Sequence, residues 1–273
     1  MPRSIITLTT DFGVSDHFVG TIKGVILDIV PEAEIIDICH SVQPFDILDG
    51  ALTIAQAYTY FPPGTVHLVV VDPGVGTQRR AVIATTDRHQ FVAPDNGVLS
   101  LVYSREDRLH VNHVTAEHYF LQPVSQTFHA RDVFAPVAAY LAKGVDTQKF
   151  GKEIEDFVRF NTPRPKPGEG NVLRGIILKV DRFGNLITNF TPQDVPHLVQ
   201  APTSRLKLVV ANREITTLKS AYAEGAPGEA FAILGSMGYL EIAANRASAC
   251  QLLGAGKGAE VVLTLESAGA ATS

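Results

Sequence analysis

The sequence predicts an α/β protein in two parts: an N-terminal α/β domain with a largely parallel sheet over 1–165, and a smaller C-terminal antiparallel β domain over 171–273. Three observations carry this. From residue 4 to about 145, short β-rich runs alternate with segments of helical period, the pattern of helices layered on a mostly parallel sheet. Residues 161–170 read NTPRPKPGEG, whose alternating prolines can continue neither periodicity. Beyond them, short strands are parted by turn residues with no long helical pattern between, so a small barrel or sandwich is the default.

Residues 5–9 form the first expected strand. After Asp16, a good N-cap residue, Phe18, Ile22, Val25, Ile26 and Ile29 recur at helical spacing until Pro31 stops them. Residues 33–39 read as a strand and 46–60 as a helix with Leu48, Ala51, Leu52 and Ala55 inward. The almost wholly apolar run 67–71 reads as a central strand buried on both faces. Strands follow at 80–86 and 90–93, and 131–143 reads as a helix with Phe134, Val137, Ala138 and Leu141 on one stripe. In the second part, strands are expected at 172–180, 186–190, 206–210, 231–234, 239–243 and 260–265. The small, polar tail from Ser267 is expected to fray.

Composition narrows the function. With 45% hydrophobic and 19% charged residues the chain is not of the disordered class, and 23 basic against 28 acidic residues net −5, which offers no charge-driven attraction to nucleic acid or membrane. Cys39 and Cys250 are the only cysteines, so a disulfide framework and a four-cysteine zinc site are excluded. No partner with metal-like spacing accompanies Cys39 and His40, and no metal is expected. The opening MPRSIITLTTDFG has one basic residue and a short apolar run broken by Asp11, which suits neither a signal peptide nor a membrane span. The expectation is a soluble, cytoplasmic protein.

Three apolar runs end in an aspartate followed by turn residues: TLTTDFG at Asp11, LVVVDPG at Asp72 and FVAPDNG at Asp95. Ligands of open α/β sheets bind outside the carboxyl ends of the strands, so these carboxylates could line one crevice, or each could simply make a turn. GxGxxG, GxxxxGK[ST] and GxSxG are all missing, and DFG at Asp11 has no HRD partner, which removes the usual nucleotide cradles, kinases and serine hydrolases. His129, in FHARD, can titrate near neutral pH and act as a base if another group orients it, with Asp72 and Arg79 as candidates, or it can be an ordinary capping histidine. In VDRFGN, Asp181 and Asn185 stand at the two ends of one tight loop, and GSMG around Ser236 is a second small-residue turn.

TLTTDFG with Asp11 and Asp16, DPGVGT, PDNG, TFHARDVFAP, VDRFGNLITN and GSMGYLEIAANR together resemble the S-adenosyl-L-methionine hydroxide adenosyltransferases, or SAM hydrolases, which are relatives of the fluorinase and chlorinase. The likeness runs in order through both parts of the chain. It implies an N-terminal α/β domain, a C-terminal β-barrel-like domain and a homotrimer whose active sites lie between subunits. It implies further that Asp11 grips both ribose hydroxyls, that Asp16, Asp181 and Ser236 hold the methionine amino and carboxyl ends, and that Asn185 contacts adenine with backbone groups near Asn245 and Arg246. Phe45 stands where the halogenases carry a tryptophan wall, and Met237 where the fluorinase has an arginine. Asp72, Arg79 and His129 resemble the triad of the water-using members.

The implied reaction is hydrolysis of S-adenosyl-L-methionine to adenosine and L-methionine, with water or hydroxide attacking ribose C5' and no cofactor. The sulfonium already makes C5' electrophilic and methionine a good leaving group, so position and a nucleophile suffice. The alternatives are a 5'-halogenase, against which the triad argues, and a sensor that binds adenosine or S-adenosyl-L-methionine without turnover.

Overall fold

In a computed structural model that describes residues 4–196 and 206–265, the chain forms two compact units, 1–161 and 162–273. The first is built on six strands: β1 (Ile5–Thr10), β2 (Glu34–Cys39), β3 (Val66–Val70), β4 (Ala81–Thr85), β5 (Gln90–Pro94) and β6 (His110–His113). Their order is β2-β1-β3-β5-β4-β6, and the pairings of β1 with β2, β1 with β3 and β3 with β5 are parallel. Only β4 runs against the rest, because a parallel crossover needs a dozen residues or more and the turn after Thr85 supplies four. The largely parallel sheet expected from the sequence therefore carries one reversed strand. β6 escaped the sequence reading because HVNH has no apolar run.

Helices cover both faces. α1 (Phe18–Ile29) and α4 (Ala135–Ala142) pack on one side, where Ile22, Ile26, Val137 and Ala138 meet Ile6, Leu8, Leu68 and Val70. α2 (Ile47–Ala57) covers the other, placing Ile54 with Val69, Val71 and Phe91. The side chain of Asp46 caps α2 by accepting from the Asp49 N–H, and burying a residue such as Ile22 or Ile54 contributes about 1.5–3 kcal/mol. A short α3 (Ser100–Tyr103) follows β5.

Two helix expectations are corrected. Asp16 does not cap α1: the cap position falls on His17, without a side-chain bond, and Asp16 is exposed. The segment 131–143 is not one regular helix, since a π-helical turn at Ala130–Phe134 precedes α4. Ala135, Pro136 and Ala139 are buried along with the expected stripe, because the run APVAA is apolar all round.

The second unit holds β7 (Lys166–Pro167), β8 (Val172–Val180), β9 (Leu186–Thr188), β10 (Leu206–Val210), β11 (Arg213–Ile215), β12 (Leu218–Lys219), β13 (Ala230–Leu234), β14 (Leu240–Ala244), a short α5 (Ala249–Leu253) and β15 (Glu260–Leu265). The strand path is β11-β10-β15-β8-β9-β14-β13-β12, antiparallel except for β12 with β13. It forms a curled, open half-barrel, with β11 and β12 as edges, around Ile177, Leu186, Leu208, Ile242 and Val261. Residues 161–170 are not wholly irregular: Lys166 and Pro167 pair with β8 as an edge strand, where proline's missing N–H costs nothing. The tail from Ser267 lies outside the described residues. No described helix is long and apolar enough to cross a membrane.

Candidate active site

β1 and β3 are adjacent and parallel, with Thr10 opposite Val70, so Asp11 and Asp72 leave the sheet together just beyond its carboxyl edge. Asp72 begins a loop that ends at Arg79. Gly76 lets that loop press on the 125–128 segment: its φ is +76°, and a Cβ there would lie 2.2 Å from the Gln126 carbonyl oxygen. The π-helical turn then presents His129 from the end of the same segment.

The three candidate triad residues meet. Arg79 Nε donates to both Asp72 oxygens at 3.0 and 2.9 Å, and Nη2 donates to Asp72 Oδ2 as well. Nη2 also donates to His129 Nδ1 at 2.9 Å, and the guanidinium lies 5.0 Å over the Phe134 ring. The pair is buried, with the Arg79 and Asp72 side chains 10% and 5% exposed. A guanidinium has no acceptor, so Nδ1 must be the unprotonated nitrogen and the neutral ring carries its proton on Nε2. Burial first, then the Arg79 charge, push the His129 pKa below the ordinary imidazole value, against the pull of Asp72 and Asp132. Of the two roles open to the histidine, holding an oxygen nucleophile by N–H donation fits this arrangement, and accepting a proton at Nε2 does not.

Beside the triad opens a cavity of about 120 Å³, walled by Phe12, Phe18 and Phe128 and reached by Asp72, Thr127 and His129. At about 30 Å³ per water it has room for a few water molecules. Asp11 stands apart from the ion pair: its Oδ2 accepts the Phe45 N–H at 2.8 Å, and burial, with a smaller push from Asp72, raises its pKa despite the backbone N–H groups that favour the charged form. Phe45 adopts the left-handed region, φ 66°, unusual for a bulky residue, and is 74% exposed.

Asp95, the third strand-end aspartate, is taken up structurally. It accepts from Arg80 Nε at 2.8 Å and from the Val158 N–H at 2.7 Å, so its carboxylate joins distant segments of the chain. Sequence reasoning passed over Asp132, which is fully buried, accepts twice from Arg131 and once from the Ser125 N–H, and so ties down the segment that delivers His129.

In the second unit, Asp181 Oδ1 accepts the Phe183 and Asn185 N–H groups and Oδ2 accepts from Asn185 Nδ2, all at 2.8 Å. Gly184 completes the loop with φ +84°; a Cβ there would lie 2.1 Å from Ser248 Oγ. Asp181, Asn185 and Ser236 line one cavity of about 640 Å³, within the range of small-molecule sites, together with Tyr222, Glu241 and Arg246. Glu241 was also missed. It sits inside the apolar run LEIAA, is buried, and accepts from Tyr222 Oη at 3.2 Å. Burial, with a smaller push from Asp181, raises its pKa despite the Tyr222 bond. Among the described residues no cluster of three or more His, Cys, Asp or Glu could hold a metal ion.

A parallel-rich sheet with a charged triad at its carboxyl edge, joined to a β unit with a ligand-sized cavity, defines a two-part enzyme for a small polar substrate. The N-terminal domain model of the SAM hydroxide adenosyltransferases matches residues 6–151, and the C-terminal one matches residues 175–262. The chain belongs to this SAM hydroxide adenosyltransferase family. It is 36% identical over 270 residues to an (R)-S-adenosyl-L-methionine hydrolase of Thermus thermophilus, covering 93% of this chain and 97% of the other. A hydrolase of the same name from Salinispora tropica is 35% identical, with coverage of 96% and 98%. A fluorinase of Nocardia brasiliensis is 30% identical, with coverage of 90% and 92%. The crystal structure of an uncharacterized conserved protein from Thermotoga maritima superposes with a TM-score of 0.88 at 36% identity, covering 95% of this chain and 99% of that one.

Proposed function

We infer that this chain hydrolyses S-adenosyl-L-methionine to adenosine and L-methionine. Near-full-length likeness to proteins named (R)-S-adenosyl-L-methionine hydrolase carries the reading, and the triad supplies its chemistry. A water oxygen attacks C5' in line with the sulfonium, the C5'–S bond breaks, and its electron pair passes to sulfur as methionine leaves. The surplus proton goes to solvent. Arg79 and the Nε2–H of His129 hold the oxygen and favour its hydroxide character, Asp72 fixes Arg79, and the phenylalanine walls keep the approach narrow. No cofactor enters, because the sulfonium is already a good leaving group.

Asp11 grips the ribose diol, with Phe45 as a wall beside it. Asp16, Asp181 and Ser236 take the methionine end and Asn185 the adenine. Phe45 is supported by its exposure, and Asp181, Asn185 and Ser236 by the cavity they share. The family resemblance supports a homotrimer with sites between subunits, and composition supports a cytoplasmic location. The relatives' names specify the (R) form; the L prefix already describes the amino acid carbon, so (R) denotes the pyramidal sulfur, and we extend that preference to this chain.

One experiment tests the reading. A sample whose mass by light scattering is about three chains is incubated with each sulfur epimer in oxygen-18 water, with and without chloride or fluoride. Adenosine and methionine should form in equal amounts, faster from the (R) form, with the label in the 5'-hydroxyl. A 5'-halo nucleoside would make the chain a halogenase, and tight binding without turnover would make it a sensor.

A further inference from the structure

We propose that His40 is a positioning residue that sets the nucleoside grip of Asp11 through Thr10. This rests on the reading of Asp11 as the ribose carboxylate. A chain of polar contacts runs from the surface to the end of β1: Lys23 Nζ donates to Asp37 Oδ2 at 2.6 Å, Asp37 Oδ1 lies 3.0 Å from His40 Nε2, and His40 Nδ1 meets Thr10 Oγ1 at 2.8 Å. Lys23 and Asp37 are partly exposed, whereas His40 and Thr10 are buried.

Asp37 can only accept, so the tautomer of the neutral imidazole that suits it carries its proton on Nε2, 3.0 Å from Oδ1, although the two are not aligned as a hydrogen bond. Nδ1 is then an acceptor and takes the Thr10 hydroxyl hydrogen. Thr10 Oγ1 in turn accepts the Phe12 N–H at 3.3 Å. On the far side, Gly13 N–H donates to the His40 carbonyl at 2.7 Å and Val42 N–H to the Thr10 carbonyl at 3.3 Å. Asp11 is thus flanked on both sides by backbone tied to the Thr10–His40 pair, and with Phe45 N–H on Oδ2 its carboxylate has little freedom. A rigid vicinal diol needs two acceptors held at one spacing, so loosening this anchor should cost diol recognition before it costs anything else.

The test compares adenosine with 2'-deoxyadenosine by calorimetry, together with steady-state kinetics on S-adenosyl-L-methionine. The parent should prefer adenosine by about tenfold or more, the scale of one charge-assisted hydrogen bond. His40→Ala should lose most of that preference by weakening adenosine alone, and should raise KM more than it lowers kcat. His40→Asn, whose amide oxygen falls at the place of Nδ1 and can still accept from Thr10, should recover part of it. Asp37→Asn, a partly exposed change that leaves the buried pair in place, gives a smaller loss of the same kind and carries the test if His40→Ala fails to fold. Equal weakening of both nucleosides, or an unchanged preference in the variants, overturns the proposal. A parent that does not discriminate overturns the Asp11 reading and this inference with it.

Discussion

The triad of the first unit and the VDRFGN loop of the second hold their polar groups in opposite ways. Asp72 and Arg79, from the two ends of one loop, meet His129, from a segment 50 positions further along the chain, through buried charge-assisted bonds that leave one imidazole N–H beside a cavity of about 120 Å³. Asp181 and Asn185 are four residues apart, satisfy each other locally, and face a cavity of about 640 Å³. On the proposed function, the groups at the bond to be broken are locked by the tertiary fold, whereas those that hold the substrate's ends sit on a self-contained turn at the edge of a larger cavity.

Removing the locked groups should have the largest effect. His129→Ala and Arg79→Lys are expected to lower kcat by roughly 10² to 10⁴-fold with adenosine affinity nearly intact, because they act on the nucleophile and not on the nucleoside. Arg79→Ala would strand Asp72 as a buried charge at a cost of about 3–5 kcal/mol, so the lysine variant is the cleaner probe. Rapid-quench turnover and adenosine calorimetry, side by side, decide the matter. Parental turnover in both variants would mean that the triad is structural.

The binding carboxylates should separate next. Asp11→Ala is expected to weaken adenosine by about 2–4 kcal/mol, since two charge-assisted acceptors are lost. Asp181→Asn, which keeps one oxygen for the loop's N–H groups but loosens its hold on Asn185, should weaken adenosine less than Asp11→Ala does and raise KM for S-adenosyl-L-methionine by about tenfold. If Asp181→Asn weakened adenosine as much as Asp11→Ala, the division of labour between the two carboxylates would be wrong.

The most graded effect concerns pH. Burial lowers the His67 pKa to about 3, with a further push from His89, whose own pKa is also lowered. The unfolded chain therefore takes up protons that the folded first unit refuses, so its stability falls as pH drops below about 6.5, by roughly 1.4 kcal/mol per pH unit for His67. The lowered pKa of Asp132 adds to this loss in more acid solution. Glu241 has the opposite sign. Its raised pKa makes its contribution complete in acid and lost as pH rises through the folded value. Hydrogen exchange between pH 7 and 4.5, corrected for intrinsic rates, should show protection falling in the first unit ahead of the second. Equal loss in both would remove the contrast.

By itself the sequence determined the α/β class of the first part, the β class of the second, and the main strands and helices, since apolar periodicity and the punctuation at Pro31 and 161–170 are local signals. The candidate residues were legible too, because Asp11, Asp72 and His129 stand in short motifs at the ends of apolar runs. Only the tertiary structure decided how those residues are used. Asp95 looked like Asp11 until Arg80 and Val158 N–H were seen to occupy it, and Asp16 lost its cap role because α1 starts at Phe18. Asp132, Glu241 and the contacts linking Lys23, Asp37, His40 and Thr10 carry no local signature, because their partners lie on other elements or across a turn. The tautomer of His129, on which the choice between base and donor turns, depends on a guanidinium 50 positions away along the chain. Periodicity reports which face of an element is buried, whereas a donor's direction depends on what the fold sets opposite it.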